Sequence, residues 1–104
     1  MTLDAVFFAL SDETRRGVVE RLLAAESITA TELARGLPIS RQAVTKHLTA
    51  LSDAGLLRSR REGRETRYAL SPEPLGVASA WLDSIGREWD DRLSALRRHM
   101  ETGD

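Results

Sequence analysis

The sequence predicts a mainly α-helical winged helix-turn-helix: a helical body, a two-stranded β wing and a long C-terminal dimerisation helix. Three observations carry that expectation. Two short helical segments meet at a tight turn around Gly36-Leu37-Pro38, the second opening on a polar face. Two strand-like runs follow at once, flanking a glycine-containing link. Apolar residues then recur in steps of three or four almost to the end of the chain.

Leu3, Val6, Phe7 and Leu10 have helical spacing and close a first helix before Ser11. Ser11 is placed to cap a second helix whose first turn holds Asp12 and Glu13 and whose apolar face is Val18, Val19, Leu22 and Leu23. That helix ends near Ala25, and Gly17 in its middle suggests a close helix crossing. Thr29 and Glu32 have capping-box spacing before Leu33, Ala34 and Leu37. Ser40 caps a fourth helix with Val44, Leu48 and Leu51 inward, and Gly55 is its left-handed C′ residue.

Leu56 to Arg61 and Glu65 to Leu70 form the wing, linked by Glu62-Gly63-Arg64. Ser71, Pro72 and Pro74 punctuate its end. From Leu75 the stripe runs through Ala78, Leu82, Ile85, Trp89, Leu93, Leu96 and Met100, widened by Trp81. A helix of about 26 residues spans roughly 39 Å, about three times the ~13 Å radius of gyration of a domain this size. Part of the stripe must therefore find another chain, and a twofold mate also taking Leu3 and Phe7 covers it most simply. Trp81 and Trp89 fit core or interface packing better than a small-molecule pocket, because they continue the stripe.

A length of 104 residues suits a single domain, residues 1–104, with the helix-turn-helix at about 30–54, the wing at about 56–70 and the last helix at about 75–100. With 41% hydrophobic and 30% charged residues the chain can bury a core. It has no cysteine, which excludes disulfides and thiolate metal sites. The longest uncharged stretch, Pro74 to Leu82, is far short of the ~20 residues of a spanning helix, and a cytoplasmic location is expected.

The net charge of −1 hides an asymmetry. Between Arg41 and Arg67 lie seven basic and three acidic residues, a net +4, which leaves −5 on the remainder. A basic segment on an acidic body favours contact with a polyanion through one face.

Several runs together resemble the ArsR family of winged helix-turn-helix regulators: Ala9-Leu10-Ser11-Asp12-Glu13-Thr14-Arg15-Arg16, Thr31-Glu32-Leu33-Ala34, and Ser40 through Leu48 with Leu51 and Ala54-Gly55-Leu56. The wing from Arg58 to Leu70 extends the likeness, and Trp81 and Trp89 resemble a branch with a tryptophan-bearing last helix. The resemblance implies a homodimeric repressor that binds double-stranded DNA at a palindromic operator. In metal-sensing members an inducer ion releases the DNA. This chain departs from them: Glu32-Leu33-Ala34-Arg35-Gly36-Leu37 holds no cysteine pair, and His47 and His99 are its only histidines. No metal and no cofactor are expected.

In such an arrangement the Ser40-capped helix enters a major groove, N-terminal side chains nearest the bases. Opposite its apolar positions lie Arg41, Gln42, Thr45, Lys46 and Thr49. Gln42 suits adenine, Arg41 or Lys46 guanine or phosphate, and the Thr45 methyl thymine; the alternative for all five is a solvated helix face. His47 reads either as a packing histidine or as a phosphate donor. Arg60, Arg61, Arg64 and Arg67 on the wing are expected to meet phosphates or a minor groove, or else to guard a strand edge. One of Arg15 and Arg16 is expected to support the fold and the other to face the DNA backbone.

A different class of function is a winged-helix interaction module without a DNA partner. No carboxylate pair, phosphate loop or nucleophile–base spacing points to an enzyme.

Overall fold

Nearly every helix opens on a side chain that takes over one of its orphan backbone amides. In the computed structural model, which describes residues 2–102, α1 (Leu3–Ala9) starts at Thr2, whose hydroxyl accepts from the Ala5 N–H at 3.1 Å. α2 (Glu13–Ala24) is capped by Asp12, whose carboxylate accepts from the Arg15 N–H at 3.0 Å. The cap expected at Ser11 therefore lies one residue later: a carboxylate better matches the positive helix end, and the Ser11 hydroxyl donates instead to the Phe8 carbonyl at 2.6 Å. Thr29 and Glu32 close the reciprocal box at the start of α3 (Ala30–Arg35). Ser40 accepts from the Ala43 N–H at 3.1 Å and starts α4 (Arg41–Asp53).

β1 (Ile28–Thr29), β2 (Leu57–Glu62) and β3 (Glu65–Leu70) form an antiparallel sheet in the order β1-β3-β2. The wing has the expected two strands. The third, β1, is an addition: it pairs Ile28 with Tyr68 and Thr29 with Arg67, anchoring the wing to the body. Glu62 pairs with Glu65, so the link is only Gly63-Arg64. Gly63 has φ +63°, the glycine signature at the first central position of a two-residue hairpin turn. Gly55, at φ +80°, turns the chain out of α4 into the wing.

The core forms where α2, α3, α4 and the root of the wing meet. Val18, Leu33, Val44, Leu48, Leu51 and Leu56 are almost completely buried there. Among the described residues the expected close crossing at Gly17 is absent: a Cβ there meets nothing within 4 Å.

α5 (Pro72–Glu101) has 30 residues and starts three residues before Leu75, because Pro72 sits at the first helical position, where a missing N–H costs nothing. The helix makes the molecule elongated, 70 × 26 × 21 Å with a radius of gyration of 19.1 Å. Its root is spent on the chain's own core: Pro74 and Ala78 are buried and Leu75 packs against the core cluster. Ala78 is thereby withdrawn from the surface offered to another chain, because α5 lies against α1 at that point. Trp81 meets Phe7 edge to face, with ring centroids 5.7 Å apart. Beyond it Leu82, Ile85, Trp89, Leu93, Leu96 and Met100 are all exposed. Among the described residues, no helix is long and apolar enough to cross a membrane.

Candidate nucleic-acid interface

α4 is held by Val44, Leu48 and Leu51, which leaves the opposite side of its first three turns in solvent. That side presents Arg41, Gln42, Thr45, Lys46 and Thr49, all exposed. Among the described residues neither Arg41 nor Lys46 forms an ion pair within the chain, so both cations stay available to an outside anion. Ser40 is spent on its cap. The Thr45 hydroxyl donates to the Arg41 carbonyl and the Thr49 hydroxyl to the Thr45 carbonyl, each at 3.0 Å.

His47 points the other way, into the junction between α4 and the start of α2. Its side chain is 20% exposed, and Nδ1 lies 3.9 Å from the Asp12 carboxylate. That is too long for a hydrogen bond but close enough for attraction when the ring is protonated. Nδ1 is buried without a hydrogen-bond partner among the described residues. The ring thus sits at a helix junction, where the packing alternative put it, but with Nδ1 unsatisfied. Asp12 is held below the usual carboxylate range, first by the Arg15 backbone N–H it accepts and then by the charges of His47 and Arg15. Arg15 is half-buried and lies over the Phe8 ring at 5.9 Å, whereas Arg16 is exposed and donates to the Leu10 carbonyl at 2.9 Å. Both thus brace the α1–α2 corner.

The wing divides the arginines that the sequence grouped. Arg60 stands directly opposite Arg67, and Arg61 opposite Thr66. Side chains alternate across a strand, so Arg58, Arg60 and Arg67 share one face while Arg61 lies on the other, the face that carries Leu57, Tyr68 and Leu70 toward the core. Arg60 pairs with Glu62 at 3.2 Å, and the Arg61 Nε donates to the Gly63 carbonyl at 3.2 Å. Arg64 is exposed at the turn.

Arg67 is the least free of the set. Its Nε donates to the Ser27 hydroxyl at 2.8 Å, a second nitrogen to the Ser27 carbonyl at 3.2 Å, and the third lies 3.4 Å from the Glu32 carboxylate. Glu32 in turn is held below the usual range, first by its hydrogen bonds with Thr29 and then by Arg67. Sequence reasoning left Arg58 and Ser27 off the site. Both line an open groove of about 610 Å³ on the outer sheet face with Glu26, Arg60, Arg67 and Ala69. The alternation Arg58-Ser59-Arg60 was the available signal.

The geometry is thus a helix with a free, partly cationic outer face followed directly by an arginine-bearing hairpin. Residues 10–60 match a family model described as a helix-turn-helix domain. A helix-turn-helix-type transcriptional regulator of Mycobacterium tuberculosis is 44% identical over 99 residues, covering 95% of this chain and 89% of its own. The chain belongs to the ArsR family of helix-turn-helix transcriptional regulators. An ArsR-like transcriptional regulator from Rhodococcus sp. RHA1 has a similar solved structure, with a TM-score of 0.77 at 46% identity over 92% of this chain and 90% of that one. The arsenical resistance operon repressor of Escherichia coli is 30% identical over 91% of this chain and 81% of its own. This ArsR-family member is a DNA-binding transcriptional regulator, and α3, α4 and the β2–β3 wing are its winged helix-turn-helix.

Proposed function

We propose that the protein is a homodimeric repressor that places the two copies of α4 in successive major grooves of a palindromic operator. The observation that carries this reading is the outer side of α4, where Arg41, Gln42 and Lys46 are exposed and without an ion-pair partner among the described residues. Gln42 has the bidentate chemistry of adenine recognition, and Arg41 and Lys46 supply cations for guanine or phosphate. Arg64 at the wing tip and Arg61 on the body-facing side add phosphate contacts, with Arg58 and Arg60 along the outer face.

The reading pairs two chains through the exposed stripe of α5, from Trp81 to Met100, with Phe7 and Leu3 of α1 alongside, and requires the two copies of α4 to stand about 34–36 Å apart to match successive major grooves. A monomer rarely leaves so many large apolar side chains in water along one helix. Names containing "repressor" among the relatives, including the Escherichia coli protein, support the direction of regulation.

The reading is tested with DNA fragments that the purified protein selects from its own genome, titrated by fluorescence anisotropy. Four phosphate contacts per half-site, eight per dimer, give a slope of log K against log salt of about −7. The double variant Gln42→Ala, Lys46→Ala is expected to lose specific retention while its sedimentation is unchanged. Retention that survives both substitutions, or a slope near zero, rejects the assignment.

A further inference from the structure

Thr45 and Thr49 stand one helical turn apart on the exposed side of α4, in line with Arg41. A threonine hydroxyl has a single proton. In both residues that proton goes to the carbonyl one turn back, Arg41 for Thr45 and Thr45 for Thr49, at 3.0 Å each. Within a helix the preceding turn blocks one of the three staggered positions around the Cα–Cβ bond, leaving two for the oxygen and the methyl. The oxygen occupies the position that reaches back to the carbonyl. The γ-methyl takes the other.

The outer surface of α4 therefore carries two methyl groups, the one expected at Thr45 and a second at Thr49, with both hydroxyl protons engaged inside the helix. Donating either hydroxyl to a base acceptor or a phosphate first breaks a hydrogen bond inside the helix. In a major groove the apolar partner for such a group is the C5-methyl of thymine, which cytosine and uracil lack.

We infer that Thr45 and Thr49 form a specificity-determining pair that reads thymine through methyl–methyl contact, its two thymines lying within two base steps of each other in each half-site. The separation follows from Cβ atoms about 5–6 Å apart on the helix against a base rise of about 3.4 Å. This inference rests on α4 being the groove-entering helix; at these two positions recognition comes from exclusion of water from apolar surface.

The experiment uses the full chain and a selected genomic fragment in which each thymine of one half-site is replaced singly by deoxyuridine, which removes one methyl and leaves every pairing group in place. Two of these replacements are expected to weaken binding about fourfold each, the worth of one buried methyl-sized group. Thr45→Ser keeps the hydroxyl and removes the methyl. It is expected to weaken wild-type DNA by the same factor and to become indifferent to deoxyuridine at one position; Thr49→Ser does so at the other. Thr45→Val and Thr49→Val keep the methyl and remove the hydroxyl, and are expected to stay within twofold of wild type with the deoxyuridine effect intact.

The opposite pattern, serine variants binding normally and valine variants failing, overturns the inference in favour of hydroxyl readout. Indifference of the wild type to every deoxyuridine also overturns it, while α4 remains a groove-entering helix because the fragment is still bound specifically. Failure to select any fragment removes both readings together.

Discussion

The Nε of Arg67 donates to the Ser27 hydroxyl at 2.8 Å across a separation of forty residues, tying the second wing strand to the loop that precedes β1. With the Ser27 carbonyl and the Glu32 carboxylate also engaged, the guanidinium is a clamp between wing, loop and α3. Its side chain is only 24% exposed, so these bonds are partly shielded from water. Arg67→Ala is expected to lower unfolding stability by about 1–2 kcal/mol, from lost hydrogen bonds to a charged group. Arg64→Ala, at the exposed turn, is expected to leave stability unchanged and to make the salt slope of operator binding shallower by about 2 per dimer. Urea titrations of both variants beside anisotropy separate the two roles. Equal stability losses reject the distinction.

Acid provides an independent check on the carboxylates that cap helices. Asp12 and Glu32 titrate below their ordinary ranges, so their ionised forms favour the folded state. That stabilisation is complete above about pH 5 and fades as the pH falls through the lowered folded values. The double variant Asp12→Asn, Glu32→Gln keeps an oxygen at each cap but removes the titration. Its stability is expected to fall less steeply than that of wild type between about pH 5 and pH 3, measured as urea midpoints at constant salt. Parallel curves reject the linkage.

What could be read from the chain was local. Thr29 with Glu32, Ser40, and Gly55 were legible because caps and left-handed glycines act within one turn of themselves. Ser11 and Asp12 are both good caps side by side, and only the geometry of the α1–α2 corner chooses between them. β1 was invisible because two residues carry no period of their own; it exists through pairing with Tyr68 and Arg67. On α4 the outer face followed from the spacing of Val44, Leu48 and Leu51. The wing was legible as a cluster but not as faces, since sorting Arg60 and Arg67 from Arg61 needs the register that the Gly63-Arg64 turn sets. The surroundings of His47 were not legible, because Asp12, which caps another helix, comes beside it only in the fold.

Gly17 illustrates a residue whose absence of side chain serves no packing purpose among the described residues. An added Cβ meets nothing within 4 Å, and the backbone is ordinary helix in the interior of α2. Gly17→Ala is expected to stabilise the fold by about 0.5–1 kcal/mol by reducing the freedom of the unfolded chain. A thermal or urea midpoint below that of wild type means that a neighbour, such as a second copy, lies against that position.

The exposed stripe of α5 gives the sharpest test of assembly. Trp89 is 58% exposed and lies outside the core cluster, so replacing it costs the isolated fold little. In a dimer it is flanked by Ile85 and Leu93 on the same apolar line, where a carboxylate is buried without a partner. Trp89→Asp is expected to sediment as a folded monomer with an unchanged helical circular dichroism spectrum. Its operator affinity is expected to fall at least tenfold, because each α4 then binds its half-site alone and loses the effective concentration of a linked pair. A variant that stays dimeric places the interface off this stripe; one that becomes monomeric but binds the operator as before removes dimerisation from the mechanism.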